Sequence, residues 1–312
     1  MPFQIPTPLK IAIPLISLAV MVVVLKNINS DDSFEQYFFG SDKGPQNAKN
    51  PSGENIRQEI AQLPGRWAVA IRHLKTDKTY FYNENEEFTS ASLYKLAVMW
   101  AAFDALENGS LTEGEVISER KAKLDEILEG KQNRPIPIPN VTPKTTHPEE
   151  EIISYTVSEA LKLMITISDN YSALLLAEKL GWENIDRLMK AENLDGVDLL
   201  TSDNPTITAK STTDLLERIY RKTAVSQKSS VSMENLLLAQ QLNDRIPKYL
   251  PEGIKVAHKT AELNGLRHDA AIIFGQKSDY IFVFLTQTES PEAATETIAR
   301  LSQKIFASLE RP

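Results

Sequence analysis

From Leu93 to Leu106 nearly every position is apolar, the exceptions being Tyr94, Lys95 and Asp104, so the run predicts a helix buried on most of its sides. Asn108-Gly109 ends it. Upstream, Ile56 to Leu63 reads as a short helix stopped by Pro64-Gly65, and Trp67–His73 and Thr79–Asn83 read as strands around a turn at Lys75 to Lys78. Downstream, Thr156 and Glu159 form a capping box for an apolar helix running up to Ser168, and Asp169 or Asn170 can cap the next helix, which closes at Leu180-Gly181. Further helical segments continue to about residue 250. Strands then return at Ile254–Thr260, Leu266–Phe274 and Tyr280–Gln287, before a last helix from Pro291 to about Leu309. This order implies a mixed α/β (α+β) fold: a sheet built from both chain ends, with a helical block inserted over about 108–250. Between Arg120 and Glu151 the prolines at 135, 137, 139 and 143 exclude regular helix and predict an extended excursion on the surface.

The N-terminus follows a different pattern. Lys10 precedes an apolar run from Ile11 to Leu25, broken only by Pro14 and Ser17, and Lys26 closes it. The run reads as an export signal. No small-x-small cleavage site follows, which favours an uncleaved anchor over residues 1–26 above a cleaved signal peptide. Residues 27–53 are rich in Asn, Ser, Asp, Lys and Gly, with an aromatic patch at Tyr37-Phe38-Phe39, and read as a tether. Residues 54–312 would then be the folded domain, on the outer side of a cell membrane.

Composition narrows the function. With 312 residues, 42% apolar and 24% charged, the chain holds one sizeable globular unit plus an appendage. A formal charge of −8 with no basic stripe argues against nucleic-acid binding. There is no cysteine, which excludes disulfides and thiol catalysis. The four histidines, His73, His147, His258 and His268, lack ligand spacing, so a metal site has no support and they read as strand or loop residues. A G-x-S-x-G elbow, a phosphate-cradling loop and a dinucleotide fingerprint are all missing.

Three short strings carry the candidate chemistry: Ser92-Leu93-Tyr94-Lys95, Ser168-Asp169-Asn170 and Lys259-Thr260-Ala261. Ser92 opens the apolar helix, so Ser92 and Lys95 share a face of its first turn. There a lysine of lowered pKa can activate a hydroxyl, and the helix N-terminus favours negative charge. Each string also has an ordinary reading: a helix-start serine, a surface lysine, a capping turn. Their joint occurrence and order resemble the penicillin-recognising serine hydrolases, the class A β-lactamases and penicillin-binding proteins. Phe88-Thr89-Ser90-Ala91, Thr206-Ile207-Thr208-Ala209 and the stretch from Arg267 to Ile273 extend the resemblance, which covers Ile56 to the C-terminus.

The resemblance implies the β-lactamase/transpeptidase-like fold, with a five-stranded antiparallel sheet flanked by helices and an inserted all-α part. It implies no cofactor and a β-lactam or peptidoglycan-peptide-like substrate, and a monomer is expected. In the catalytic set, Ser92 is the nucleophile, Lys95 the base, Lys259 the cation that lowers its pKa, and Ser168 the hydroxyl passing a proton to the leaving group. For substrate binding it implies that Asn170 bonds the substrate amide and Lys95, that the backbone N–H of Glu262 joins that of Ser92 in an oxyanion hole, and that Arg267 with Thr260 grips a substrate carboxylate. Asp169 holds the corner together. Arg267 also has an ordinary reading, as a surface arginine on an edge strand.

Two departures from the family stand out. Ala261 replaces the glycine of the third string, and its methyl narrows the approach to the strand. No Glu-x-x-x-Asn string lies between Asn170 and Thr206, where class A β-lactamases carry an omega loop whose glutamate activates the deacylating water; Glu183 and Glu192 fall in helical segments. The sequence thus supports a β-lactamase-related hydrolase that acylates at Ser92 and deacylates poorly. A penicillin would then stay on Ser92 unless Lys95 or Glu262 activates the water instead; the alternatives are a penicillin-sensitive D,D-peptidase or other cell-wall amidase or esterase, and a catalytically silent wall-binding module.

Overall fold

The computed structural model describes residues 56–129, 151–200 and 204–311. The chain divides near residue 56, and the elements below belong to the larger unit, 57–312. The anchor and tether expectations fall on residues 1–53, outside the described set; among the described residues no helix is long and apolar enough to cross a membrane.

After the short helix α1 (Ile56–Ala61) come strands β1 (Arg66–His73) and β2 (Thr79–Tyr82). The C-terminal part supplies β8 (Lys255–Leu263), β9 (Leu266–Phe274) and β10 (Asp279–Gln287), followed by a long terminal helix, Pro291–Leu309. These strands form one antiparallel sheet in the order β2-β1-β10-β9-β8, so the two chain ends meet where β1 pairs with β10. β10 is buried at seven consecutive positions, Tyr280 to Thr286, because helices cover both faces of the sheet. β8 is an edge strand, which leaves alternate backbone N–H groups without a sheet partner.

Between the sheet halves lie β3 (Phe88–Thr89), a 3₁₀ turn (Ala91–Leu93), α2 (Tyr94–Glu107), β4 (Val116–Arg120), α3 (Lys121–Leu128), β5 (Ile152–Thr156) and α4 (Val157–Thr166). Then follow α5 (Asn170–Leu180), α6 (Trp182–Ala191), β6 (Val197–Asp198), β7 (Thr206–Ile207), α7 (Ala209–Tyr220) and α8 (Gln227–Leu238), which leaves the terminal helix as α9. As its composition requires, α2 is buried from Tyr94 to Phe103 and again at Ala105, with α4, α5, α6 and α8 packed around it. The capping box at Thr156 and Glu159 is fully formed.

Two expectations need correction. The block between the sheet halves is not wholly helical: β4 pairs with β5, and β3, β7 and β6 make a small three-stranded sheet. Helix α3 also occupies 121–128, within the stretch expected to exclude helix, because the prolines that forbid it begin only at 135; those prolines lie outside the described residues. A third difference is smaller. β8 runs three residues past Thr260, to a two-residue turn at Asn264-Gly265 where Gly265 has φ +75°, so Ala261 and Glu262 sit in regular strand.

Candidate active site

The elements bring Lys95, the Ser168 corner and Lys259 into hydrogen-bond contact, with Ser92 one turn before Lys95. Ser92 lies half-buried in the 3₁₀ turn that leads into α2, and this turn packs on edge strand β8. Lys95, one turn into the helix, is 0% exposed. Its ammonium position is fixed by the corner between α4 and α5: Nζ donates to Ser168 O at 2.6 Å, Asn170 Oδ1 at 2.8 Å and Asp169 O at 3.2 Å, and lies 3.3 Å from Ser168 Oγ. Lys259, also 0% exposed, donates from β8 to the same Ser168 Oγ at 2.9 Å and to Thr260 O at 2.7 Å.

The corner itself is held by local chemistry. Asp169 is the N-cap of α5 and accepts from Ser172 N at 2.7 Å, and Asn170 opens the helix with its Oδ1 committed to Lys95. That commitment turns the Asn170 amide so that its N–H groups remain for another acceptor. Ser168 has φ +59° and Ala91, directly before Ser92, has φ +43°. A left-handed backbone costs such residues on the order of 1–2 kcal/mol. Ser168 carries one candidate hydroxyl and Ala91 directly precedes the other, and the bond from Lys95 to Ser168 O helps to hold the first of these strained residues.

Electrostatics follow from burial. Burial pushes the Lys95 amine well below the ordinary lysine range, the Lys259 charge lowers it further, and Asp169 opposes the shift. Burial likewise brings Lys259 down to about 7, with Arg245 adding to the effect and Asp269 and Glu262 opposing it. Among the described residues no carboxylate oxygen bonds either amine. Two amines that share one hydroxyl and lack a counter-ion cannot both be charged cheaply. Both amines are therefore depressed, with Ser168 Oγ as the bridge between them.

The remaining expected residues are placed as follows. Thr260 is buried beside Lys259, and Glu262 follows on the same strand face. Arg267 sits opposite Glu262 in register, but its Nη1 donates to Leu263 O at 3.2 Å and Leu266 O at 2.8 Å, and Nη2 lies 3.5 Å from Glu292. The guanidinium is therefore largely spent on the hairpin end. Sequence reasoning missed Arg245, which is buried and donates from Nη2 to Glu262 Oε2 at 2.7 Å. Nothing in the local pattern, Asn243-Asp244-Arg245-Ile246-Pro247, distinguishes it from a surface arginine.

Glu262 is thus tied to Arg245 and bonds neither Lys95 nor Lys259. Glu183 is exposed on α6, and Glu192, the C-cap of that helix, pairs with Arg218 at 2.6 Å. The buried histidines are structural. His268 accepts Thr286 N at Nδ1, so its Nε2 carries the proton and donates to Thr89 O at 2.9 Å, tying β9 to the strand before Ser92. Burial depresses it to about 4, so it is neutral. His258 bonds Asp269 at 3.0 Å and Asn243 at 2.9 Å. Among the described residues no cluster suits a metal ion.

The comparisons bear on the fold and the family. No curated protein matches the chain by sequence. A β-lactamase from Chitinophaga pinensis superposes with TM-score 0.69 and 21% identity, over 82% of this chain and 100% of the other. A β-lactamase from Sphaerobacter thermophilus gives 0.67 and 21%, over 80% and 93%. A variant of PBP-A, solved as an acyl-enzyme complex with penicillin-G, gives 0.69 and 19%, over 82% and 94%. At these identities the likeness is one of fold. The sequence model of the β-lactamase enzyme family matches residues 51–309, well over half of the chain, and the protein therefore belongs to that family.

Proposed function

We propose that this serine hydrolase takes an acyl group from a β-lactam or a related cell-wall peptide onto Ser92 and releases it slowly. The observation that carries the reading is the convergence on Ser168 Oγ of two buried lysines with no carboxylate bonded to them, the first of which, Lys95, lies one turn after Ser92. Neutral Lys95 accepts the Ser92 proton as Oγ attacks the carbonyl carbon. The negative charge that develops on the carbonyl oxygen meets the backbone N–H groups of Ser92 and Glu262, the latter on the edge strand. When the C–N bond breaks, the leaving nitrogen takes the Ser168 hydroxyl proton, and the lysine pair resupplies Ser168. Asn170 donates to the substrate amide.

Hydrolysis of the ester then needs a base for water. The usual omega-loop glutamate has no counterpart in the string between Asn170 and Thr206, Glu192 is bound to Arg218, and Glu262 is bound to Arg245. Among the described residues the groups for acylation are assembled, while neither Glu192 nor Glu262 is left as a base for deacylation. That a PBP-A variant of similar fold was solved as an acyl-enzyme complex with penicillin-G supports formation of an acyl species here. A membrane-held domain outside the cytoplasm, suggested by the apolar run at 11–25, would place the site beside the cell wall.

Mass spectrometry with benzylpenicillin over time tests the reading. One penicillin equivalent should appear on the protein and persist, and Ser92→Ala should abolish it without loss of fold, since a half-buried hydroxyl is all that is removed. An adduct that survives in Ser92→Ala would refute the nucleophile. Fast turnover without an adduct would refute the slow release.

A further inference from the structure

We propose that the Glu262 carboxylate is a built-in occupant of the cationic corner beside Thr260, so that the site selects against acyl donors with a free carboxylate there and favours neutral ester- or amide-capped ones. The inference deepens the acyl-transfer reading and rests on it for where the substrate lies.

The two halves of the pair differ in character. The Arg245 side chain is 1% exposed and the Glu262 side chain 64%, yet Nη2 and Oε2 are 2.7 Å apart. The cation is fixed. Ile246 N, next to it, donates to Asp269 Oδ2 at 3.0 Å, and Asp269 faces Thr260 in register, so the segment carrying Arg245 is pinned over the Thr260 face of the sheet. His258, bridging Asp269 and Asn243, pins the segment a second time. Arg267 lies opposite Glu262, its Nε 3.9 Å from the same carboxylate oxygen.

A buried guanidinium needs an anion, because its desolvation is repaid only by a close partner. Besides Glu262 only Asp244 approaches it, at 3.3 Å, and the buried Arg245 Nε has no hydrogen-bond partner among the described residues. The anion closest to the guanidinium, at 2.7 Å, is a solvated side chain on an edge strand, and so is displaceable. A substrate carboxylate reaching past Thr260 meets the same donors and must displace Glu262. A neutral group at that point leaves the pair intact. The discrimination comes from a competitor within the chain, and Glu262 is a specificity residue through its side chain, whatever its backbone N–H contributes.

Calorimetry on the full-length Ser92→Ala protein, with and without Glu262→Gln, tests this using benzylpenicillin and its methyl ester as non-covalent probes. Freed of its internal anion, the corner should bind benzylpenicillin about tenfold more tightly in Ser92→Ala/Glu262→Gln, while the ester binds both proteins alike. Glu262→Ala should give the same gain. Equal benzylpenicillin affinity in both proteins, an equal gain for the ester, or no benzylpenicillin binding to the Gln protein would each overturn the inference. The adduct on wild-type protein is read separately, so a missing adduct would sink the acylation reading and leave the anion contrast to be judged alone.

Discussion

Removing the Lys259 charge should raise the affinity of Lys95 for its proton and slow acylation on the acid side of the pH profile. Both amines contact Ser168 Oγ, at 2.9 and 3.3 Å, so the two nitrogens can be at most about 6.2 Å apart. At an effective dielectric of about 20, two unit charges at that separation repel by about 3 kcal/mol, and by more if they are closer. Since 1.4 kcal/mol is a factor of ten, Lys259→Met should cost roughly a hundredfold in the population of neutral Lys95 throughout the acid limb. Methionine suits the test because it is close in length and apolar, filling a site that is fully buried. The assay is the rate of fluorescent-penicillin labelling across pH. In the variant the acid limb should move to higher pH, and the rate should recover towards wild type as Lys95 is deprotonated by the medium instead of by its neighbour. A uniform loss of rate, with the limb unmoved, would refute the reasoning and leave Lys259 as a substrate-binding group alone.

Two further outcomes follow from the same corner. Asp169→Ala removes the side-chain cap accepting from Ser172 N and should cost about 1 kcal/mol in denaturant unfolding, with slower labelling because Asn170 and Ser168 lose their fixed corner; unchanged stability and rate would show that α5 is capped by other means. Lys259 titrates at about 7 when folded against a reference of about 10.4 when unfolded, so between those values the unfolded chain binds the extra proton. Its destabilising effect is full below about 7 and fades as pH rises, so stability should increase from about pH 7 to 9.5; in Lys259→Met that slope should fall by up to about 1.4 kcal/mol per pH unit, and an unchanged slope would mean the folded amine is not depressed.

Much of this was already legible in the sequence because it depends on local order. The run from Leu93 to Leu106 had to be a buried helix, Thr156 and Glu159 had to cap α4, and the hairpin and three late strands are set by alternation and turn residues. In the same way, Ser92 and Lys95 share a helical face because three residues make nearly one turn. The helix at 121–128 was missed because prolines at a distance were allowed to speak for residues they do not touch. The short sheets of β3, β6 and β7 were missed because two-residue strands carry no periodicity.

What tertiary structure decided is whatever depends on groups far apart in sequence being stripped of water together. The meeting of Lys95 and Lys259 at Ser168, separated by 73 and 91 residues from it, sets both amines' protonation through burial, which no spacing reveals. The pairing of Glu262 with Arg245 is of the same kind. In sequence Glu262 reads as a free carboxylate and Arg245 as a surface cation; folding buries the arginine, and a buried charge takes the nearest anion, so the residue offered as a substitute base becomes a counter-ion instead.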